Sequence, residues 1–507
     1  GTFFEWNDNL APGNPIATLG LISDRGTTYR SVGNVEGKYH TPFLDGLTGT
    51  VNVGYDFATA RRTVFTPSNE RSQITSGNGG NFYRRNPSQL NTVLDAYGNY
   101  VRAFDQYQSN IDLTAGYSYE QSKGDYPEVA VNGLASNLLG PNGIPSSTKP
   151  TVPTLFVEES RLISFFGRAN YSLRDKYLAT LSVRRDGSSR FGPGKQWGIF
   201  PAAAFAWRMS DEPFIKGITP ISDLKLRLSW GVNGNQSFAN YMAISSYTIG
   251  NSLAQAQFGN QFVPTIRPSA ADPNLKWEET TSSNIGFDFG LLRNRVAGTI
   301  DYYRKKTKDL LFLVPIAQGT NLSDFVMKNI GSMENRGLEL GLNTQLLSGG
   351  FHGLTWNASF NAAKNSNKLL QINSVGAGTE QIPVGDIAGG VGNTIQVLQP
   401  GNPVNSFFVY KHKIVNGKPV SDGNGSVPDT ALYQDLNGDG VITQSDRRVF
   451  KDPAPKWILG HTSQMGYGNF DASFVLRAYL GNYVYNNVAS NLGNFSRIRG
   501  SGTPVNL

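Results

Sequence analysis

The densest run of metal-type ligands in the chain lies between Asp435 and Asp446, in DLNGDGVITQSD. Asp435, Asn437, Asp439, Thr443 and Asp446 fall at positions 1, 3, 5, 9 and 12 of an EF-hand-type loop. The Val441 carbonyl would serve position 7, and Gly440 stands at position 6, where such a loop turns sharply. Position 12 is an aspartate rather than a glutamate, so its bidentate reach is short, and the pattern suits weak Ca2+ or Mg2+. The competing reading is an Asx-rich turn without an ion. A cation here would pin a long loop rather than perform chemistry.

Other chemistry-bearing residues are poorly placed for catalysis. Glycoside cleavage needs two carboxylates facing each other across a bond. The pairs Glu158-Glu159, Asp211-Glu212 and Glu278-Glu279 are sequence neighbours, and neighbours on a strand point to opposite faces. His40, His352, His412 and His461 are far apart, with no metalloprotease spacing. No phosphate-binding glycine loop links a strand to a helix, and GPG at 192–194 and NGNQ at 233–236 read as turns. Tyr241, Tyr247, Phe258, Phe262 and Tyr433 in loops could stack on sugar rings, although aromatic girdles at a membrane edge explain most aromatics of such a chain. No enzyme activity is expected.

The elements that carry these residues are strands. In Asn284–Lys306, Ile285, Phe287, Phe289 and Leu291 alternate with Asn284, Gly286, Asp288 and Gly290. After the turn Leu292-Arg293-Asn294, the alternation resumes through Val296, Gly298, Ile300 and Tyr302. Period two on both sides of a tight polar turn predicts an antiparallel hairpin. Each strand is about ten residues long, close to the ~9–11 that a tilted strand needs to cross a bilayer. The same grammar recurs at 28–57, 99–120, 161–185, 197–233, 335–363 and 456–480, giving about fourteen strands. Short turns near 42–46, 173–175, 292–294, 348–352 and 467–469 alternate with long stretches at 59–97, 121–160, 234–279, 307–334 and 364–456. Segregation of short turns from long loops is the transmembrane barrel arrangement. In lipid every backbone donor and acceptor needs a partner, which closure provides. Leu224, Leu226, Leu228 and Trp230 are assigned to the lipid side. Arg227, Asp288, Asp301, Glu339 and Asn343 are assigned to a polar lumen.

Composition agrees. Among 507 residues there are 57 Gly, 22 Tyr and 29 Phe, and only 39% are hydrophobic. Mean hydropathy is −0.32, which a barrel tolerates because only alternate residues face lipid. The absence of cysteine excludes disulfides and thiolate metal sites. The net charge of +7 is scattered, without the basic run or motif of a nucleic-acid surface; a surface facing lipopolysaccharide is another outlet for it. No signal peptide stands at Gly1, and residues 1–507 read as an internal part of a longer barrel protein.

Several motifs resemble the SusC/RagA group of TonB-dependent outer-membrane transporters of Bacteroidetes. They are FFGRANYSLRDKYLATLSVRRDGSSRFGPGKQWGIFPAAAFAWRMSDEPF at 165–214, LKLRLSWGVNGNQ at 224–236, PNLKWEETTSSNIGFDFGLLRNRVAGTIDYYRKKTKDLL at 273–311, NIGSMENRGLEL at 329–340 and DLNGDGVITQSDRRV at 435–449. The resemblance implies an all-β transmembrane antiparallel barrel of roughly 22 strands, with an N-terminal plug and closing strands expected outside this chain. It implies import of oligosaccharides or peptides, a SusD-like lid lipoprotein, energy from a TonB-ExbB-ExbD complex, contact with outer-membrane lipid, and a dimer of transporter–lid pairs. Three alternatives stand beside it. One is a siderophore or cofactor receptor of the TonB type. The others are a soluble glycan-binding or glycan-cleaving β protein and a barrel serving another translocation machine.

Overall fold

The computed structural model describes residues 4, 13–144, 146–150, 155–249, 255–315, 325–349, 353–372, 381–387, 394–420 and 428–492. Its frame is a run of long strands: β1 (Ser23–His40), β2 (Leu47–Thr66), β3 (Ser88–Phe104), β4 (Ser109–Asp125), β5 (Val157–Leu173), β6 (Tyr177–Ser188) and β7 (Trp197–Arg208). It continues through β8 (Ile221–Asn235), β9 (Glu278–Leu291), β10 (Val296–Lys308), β11 (Ser332–Ser348), β12 (Thr355–Gln371), β13 (Trp457–Tyr467) and β14 (Phe470–Leu480). Each pairs antiparallel with its sequence neighbours. Among the described residues β1 and β14 stand at the two edges of this wall and do not pair with each other. No described helix is long and apolar enough to cross a membrane.

Register sorts the side chains onto two faces. Leu226, Phe287, Ile300, Leu340 and Ala362 share one row across five strands, and Leu228, Ile285, Tyr302 and Leu338 share the next. These rows are bare: Leu228, Phe287, Ile300 and Leu338 are 40%, 39%, 42% and 48% exposed. No second sheet or helix of the described chain covers them. An uncovered apolar band of this extent marks a surface for a non-aqueous neighbour, here hydrocarbon. The opposite face carries Arg227, Asp301 and Glu339 in one row.

The short connections gather at one end. In these turns Leu292, Arg293 and Asn294 all hold positive φ (54°, 58°, 60°), as do Arg174 and Asp175, a region that suits only Asn294 and Asp175 among them by residue type. Asn and Asp tolerate this region better than most side chains. The long connections gather at the other end and are structured. A sheet of Ile382–Asp386, Thr394–Leu398, Ser406–Tyr410 and Arg447–Val449 occupies what periodicity left irregular. Hairpins form at Leu311–Pro315 with Phe325–Asn329 and at Gln255–Phe258 with Gln261–Pro264.

Several sequence expectations need correcting. Strands run to 20 residues rather than about ten, so 59–66, 88–97, 121–125 and 157–160 are wall, not loop. Asn233, Gly234 and Asn235 of NGNQ continue β8, paired with Thr280, Glu279 and Glu278. Glycine is required there because a Cβ at Gly234 would lie 2.5 Å from Phe200 Cε1 and 2.8 Å from Trp277 Cε3. Expected loop 59–97 also contains a strand at Asn81–Arg85, which joins the end of β2 to Glu128–Leu134.

Candidate functional site

The polar face is built by ion pairs that cross strands. Arg227 on β8 donates from Nε to Asp288 on β9 at 2.8 Å and from Nη2 to Asp301 on β10 at 3.0 Å. Lys225 Nζ is 3.8 Å from Asp288. For Arg227 to reach β10 it must pass over β9, and the residue it passes is Gly286, its direct register partner. A Cβ there would come within 2.8 Å of Arg227 Nη2, and closer still to Asp301 Oδ1. The glycine therefore opens the path that the bridge uses. Glu339 extends the row onto β11, and Asn343 accepts a hydrogen bond from Ser359 at 2.7 Å.

A second polar row crosses β3 to β6. Asp95, Ser118, Ser164 and Asp186 are successive register partners. Ser118 Oγ donates to Asp95 at 2.6 Å, and Arg184 donates to both Ser164 and Asp186 at 2.7 Å. These groups satisfy one another, so this row of the wall is polar with its buried groups paired.

Above the wall, the long connections fold onto small apolar cores. Phe191, Phe200, Phe238, Ala243, Leu275 and Trp277 form one. Trp277 Nε1 donates to the Gln196 carbonyl at 2.8 Å, and Arg190 Nη1 donates to the carbonyls of Gln236 and Phe238 at 3.1 and 3.2 Å. A second core joins Leu310, Val326, Ile330, Leu369 and Leu398. Of the loop aromatics, Tyr247, Phe258 and Phe262 are exposed, whereas Tyr433 packs between Tyr410 and His412. The Tyr241 hydroxyl accepts the Glu159 N–H at 2.8 Å.

In the loop 435–446, side chains bond the loop's own backbone. Asp435 accepts N–H from Gly438 (2.7 Å) and Gly440 (2.8 Å), and Asp439 accepts from Val441 at 2.8 Å. Asn437 Nδ2 donates to Asp439 at 2.8 Å. Asp446 is fully buried; its two oxygens accept the N–H groups of Leu436 and Thr443, both at 2.7 Å. Those backbone donors hold the Asp446 carboxyl below the usual aspartate range. Gly438 and Gly440 take positive φ, 73° and 80°. Among the described residues no three His, Asp or Glu side chains converge to hold an ion.

The two carboxylate pairs that lie on strands diverge as strand geometry requires. Glu278 accepts from Asn235 and from the Leu311 N–H, while Glu279 pairs with Lys308 at 2.8 Å. Glu158 binds Tyr126 and Asn240, and Glu159 binds Gln121 and Arg161. In the turn after β7, Glu212 accepts from Tyr177 (2.6 Å) and Trp207 (3.2 Å), which lower its pKa. His40 binds Thr48, and His461 packs on Phe474; His352 lies outside the described residues.

A long-stranded wall with a bare apolar face, a charge-paired polar face and long loops segregated to one end is the wall of an outer-membrane β-barrel. Comparison with known proteins gives the same class: residues 1–503 match the TonB dependent receptor-like β-barrel family, and the chain belongs to it. It is 35% identical over 493 residues to TonB-dependent receptor SusC of Bacteroides thetaiotaomicron, covering 96% of this chain and 47% of that protein. It is 30% identical over 492 residues to TonB-dependent receptor P3 of Formosa agariphila, covering 94% of this chain and 47% of that one. The fold is similar to the RagAB peptide transporter, with a TM-score of 0.76 at 21% identity, covering 94% of this chain and 50% of that one. The chain thus spans about half the length of these relatives.

Proposed function

We propose that the whole protein is a transporter, not an enzyme. In this reading it imports oligosaccharides or peptides through the barrel lumen, driven by the TonB-ExbB-ExbD complex and closed outside by a SusD-like lipoprotein. The observation that carries the reading is the polar wall bridged by Arg227, Asp288 and Asp301, on a chain related to SusC along nearly its whole length. A hydrated, charge-satisfied wall lets a polar solute pass without stripping its own hydrogen bonds, and the exposed Tyr247, Phe258 and Phe262 above it offer flat apolar faces to sugar rings or peptide side chains. A dimer of transporter–lid pairs is part of the proposal.

The test is purification of the native full-length protein from outer membranes in mild detergent, with identification of co-purifying chains and bound solute by mass spectrometry. A surface lipoprotein together with an oligosaccharide or peptide supports the reading. Bound ferric chelate, or recovery from extracts made without detergent, overturns it.

The reading extends to the loop 435–446, which we assign to a weakly bound Ca2+ or Mg2+ held by Asp435, Asn437, Asp439, Thr443 and the Val441 carbonyl. The ligand spacing and the two left-handed glycines support it. Asp446 fits this role least, because both of its oxygens already serve the loop backbone. The ion would stiffen the loop and take no part in transport chemistry.

A further inference from the structure

We infer that the outer side of the wall at β10–β12 is a binding surface for the phosphorylated headgroup of an outer-leaflet glycolipid. The inference rests on the membrane placement of the wall and not on what the barrel imports. Arg304, Lys306 and Lys308 alternate on β10 on the same face as Ile300 and Tyr302. Arg336 on β11 shares the face of Leu338, and Lys364 and Lys368 on β12 share that of Phe360. All six are exposed. They sit at the long-loop ends of these strands, directly beyond the bare apolar rows. The face therefore passes from hydrocarbon-facing side chains to a block of positive charge, as an acyl chain passes into an anionic headgroup.

The charge is in excess locally. Two carboxylates share this face: Glu334 pairs with Arg304 at 2.6 Å and Glu279 with Lys308 at 2.8 Å. Among the described residues no carboxylate lies within ion-pair distance of Lys306, Arg336, Lys364 or Lys368. Arg304 and Arg336 are direct cross-strand partners, like charges that disfavour each other; Glu334 is bonded to Arg304, which leaves Arg336 without a carboxylate at ion-pair distance among the described residues. Lys364 Nζ sits 5.2 Å from the Trp457 ring centroid, which anchors the lower edge of the patch. Neighbouring strands are about 5 Å apart and alternate residues about 7 Å apart along a strand, so one phosphate can meet cations from two strands. The patch lies outside the wall, away from the lumen, which favours a lipid over the imported solute or a lid above the opening.

The test uses the full-length protein in an uncharged detergent, titrated with diphosphoryl lipid A. Each basic residue near a membrane surface contributes about fivefold in anion affinity, so Arg336→Gln/Lys364→Gln/Lys368→Gln should lose on the order of a hundredfold. Lys368→Gln alone should lose about fivefold, and it keeps the test readable if the triple variant folds poorly; the heat-modifiable gel shift of a folded barrel reports that. Arg25→Gln/Arg61→Gln, outward on β1 and β2, should leave binding unchanged. Dephosphorylated lipid A should bind the wild type as weakly as the diphosphoryl form binds the triple variant. Equal binding of both lipids, unchanged affinity in Lys368→Gln, or full displacement by millimolar inorganic phosphate would overturn the inference; the last would indicate a free-anion site.

Discussion

Gly286→Ala should weaken the wall through a bond that the glycine itself does not make. The added methyl occupies the space through which Arg227 reaches Asp301, at 2.8 Å from Nη2 and 2.9 Å from Cζ. Asp301 is short and its side chain is 16% exposed, so it moves aside only by giving up the 3.0 Å bond. Loss of a hydrogen bond to a charged group costs about 1.5–3 kcal/mol. Alanine in place of glycine in a strand returns about 0.5–1 kcal/mol. The net expectation is about 1–2 kcal/mol of destabilisation, read as a lower urea midpoint for loss of the folded band of the full-length protein. The decisive measurement is the cycle with Asp301→Ala. Once Asp301 is gone, Arg227 keeps Asp288 and its free end can leave the space over residue 286, so Gly286→Ala should become neutral or mildly stabilising. If the two substitutions add within about 0.5 kcal/mol, the sites are independent and the steric-path argument fails.

Ile300→Lys places a charge in the middle of the apolar rows and should cost about 2–4 kcal/mol, against about 0–1 for the same change near the membrane edge; urea unfolding in lipid vesicles separates the two depths. Trp277→Ala removes the centre of the aromatic core above β7 and should open that region by about 3–5 kcal/mol, seen as protease cleavage within 189–196 or 236–277 while the wall stays intact. Asp446 has its pKa lowered by backbone donors, so its contribution is fully present above the unfolded value of ~3.9 and is lost as pH falls through the lower folded value. The protection factors of the Leu436 and Thr443 amides, taken relative to the intrinsic exchange rate at each pH, should therefore fall below about pH 4, and Asp446→Asn should flatten that dependence. Millimolar Ca2+ should slow exchange across 435–446, and Asp439→Asn should weaken the effect; an exchange rate indifferent to Ca2+ would remove the ion from the loop.

Strand periodicity was legible wherever one face meets hydrocarbon and the other water. Ile285, Phe287 and Phe289 differ so sharply from Asn284, Gly286 and Asp288 that hairpin, faces and turn follow from the sequence. The contrast fades where polar and apolar side chains mix on one face. In Gln89–Ala96, Val93 shares a face with Asp95 while Thr92 sits beside Leu94, so this part of β3 reads as a loop. Asn233–Asn235 misled for another reason: glycine between asparagines signals a turn, but Gly234 exists to admit the rings of Phe200 and Trp277, which come from distant segments. The Arg227 bridge was half visible, since the polar face was assigned but the pairing needed register. The basic surface was hidden, because its six cations lie on three strands that only the register brings side by side.

The fourteen strands have unequal lengths, from 20 residues in β2 to 12 in β6 and β7 and 11 in β13 and β14. At about 3.4 Å per residue and a tilt near 45°, the longest climb about 48 Å and the shortest about 26 Å, against an apolar band of about 25 Å. The outer rim is therefore crenellated, with tall merlons at β1–β5 and β11–β12. At the embrasure over β6 and β7, the aromatic core of Phe191, Phe200 and Trp277 takes the place of missing strand. The rim is therefore a parapet of uneven height, and anything that seats on it must follow its slope.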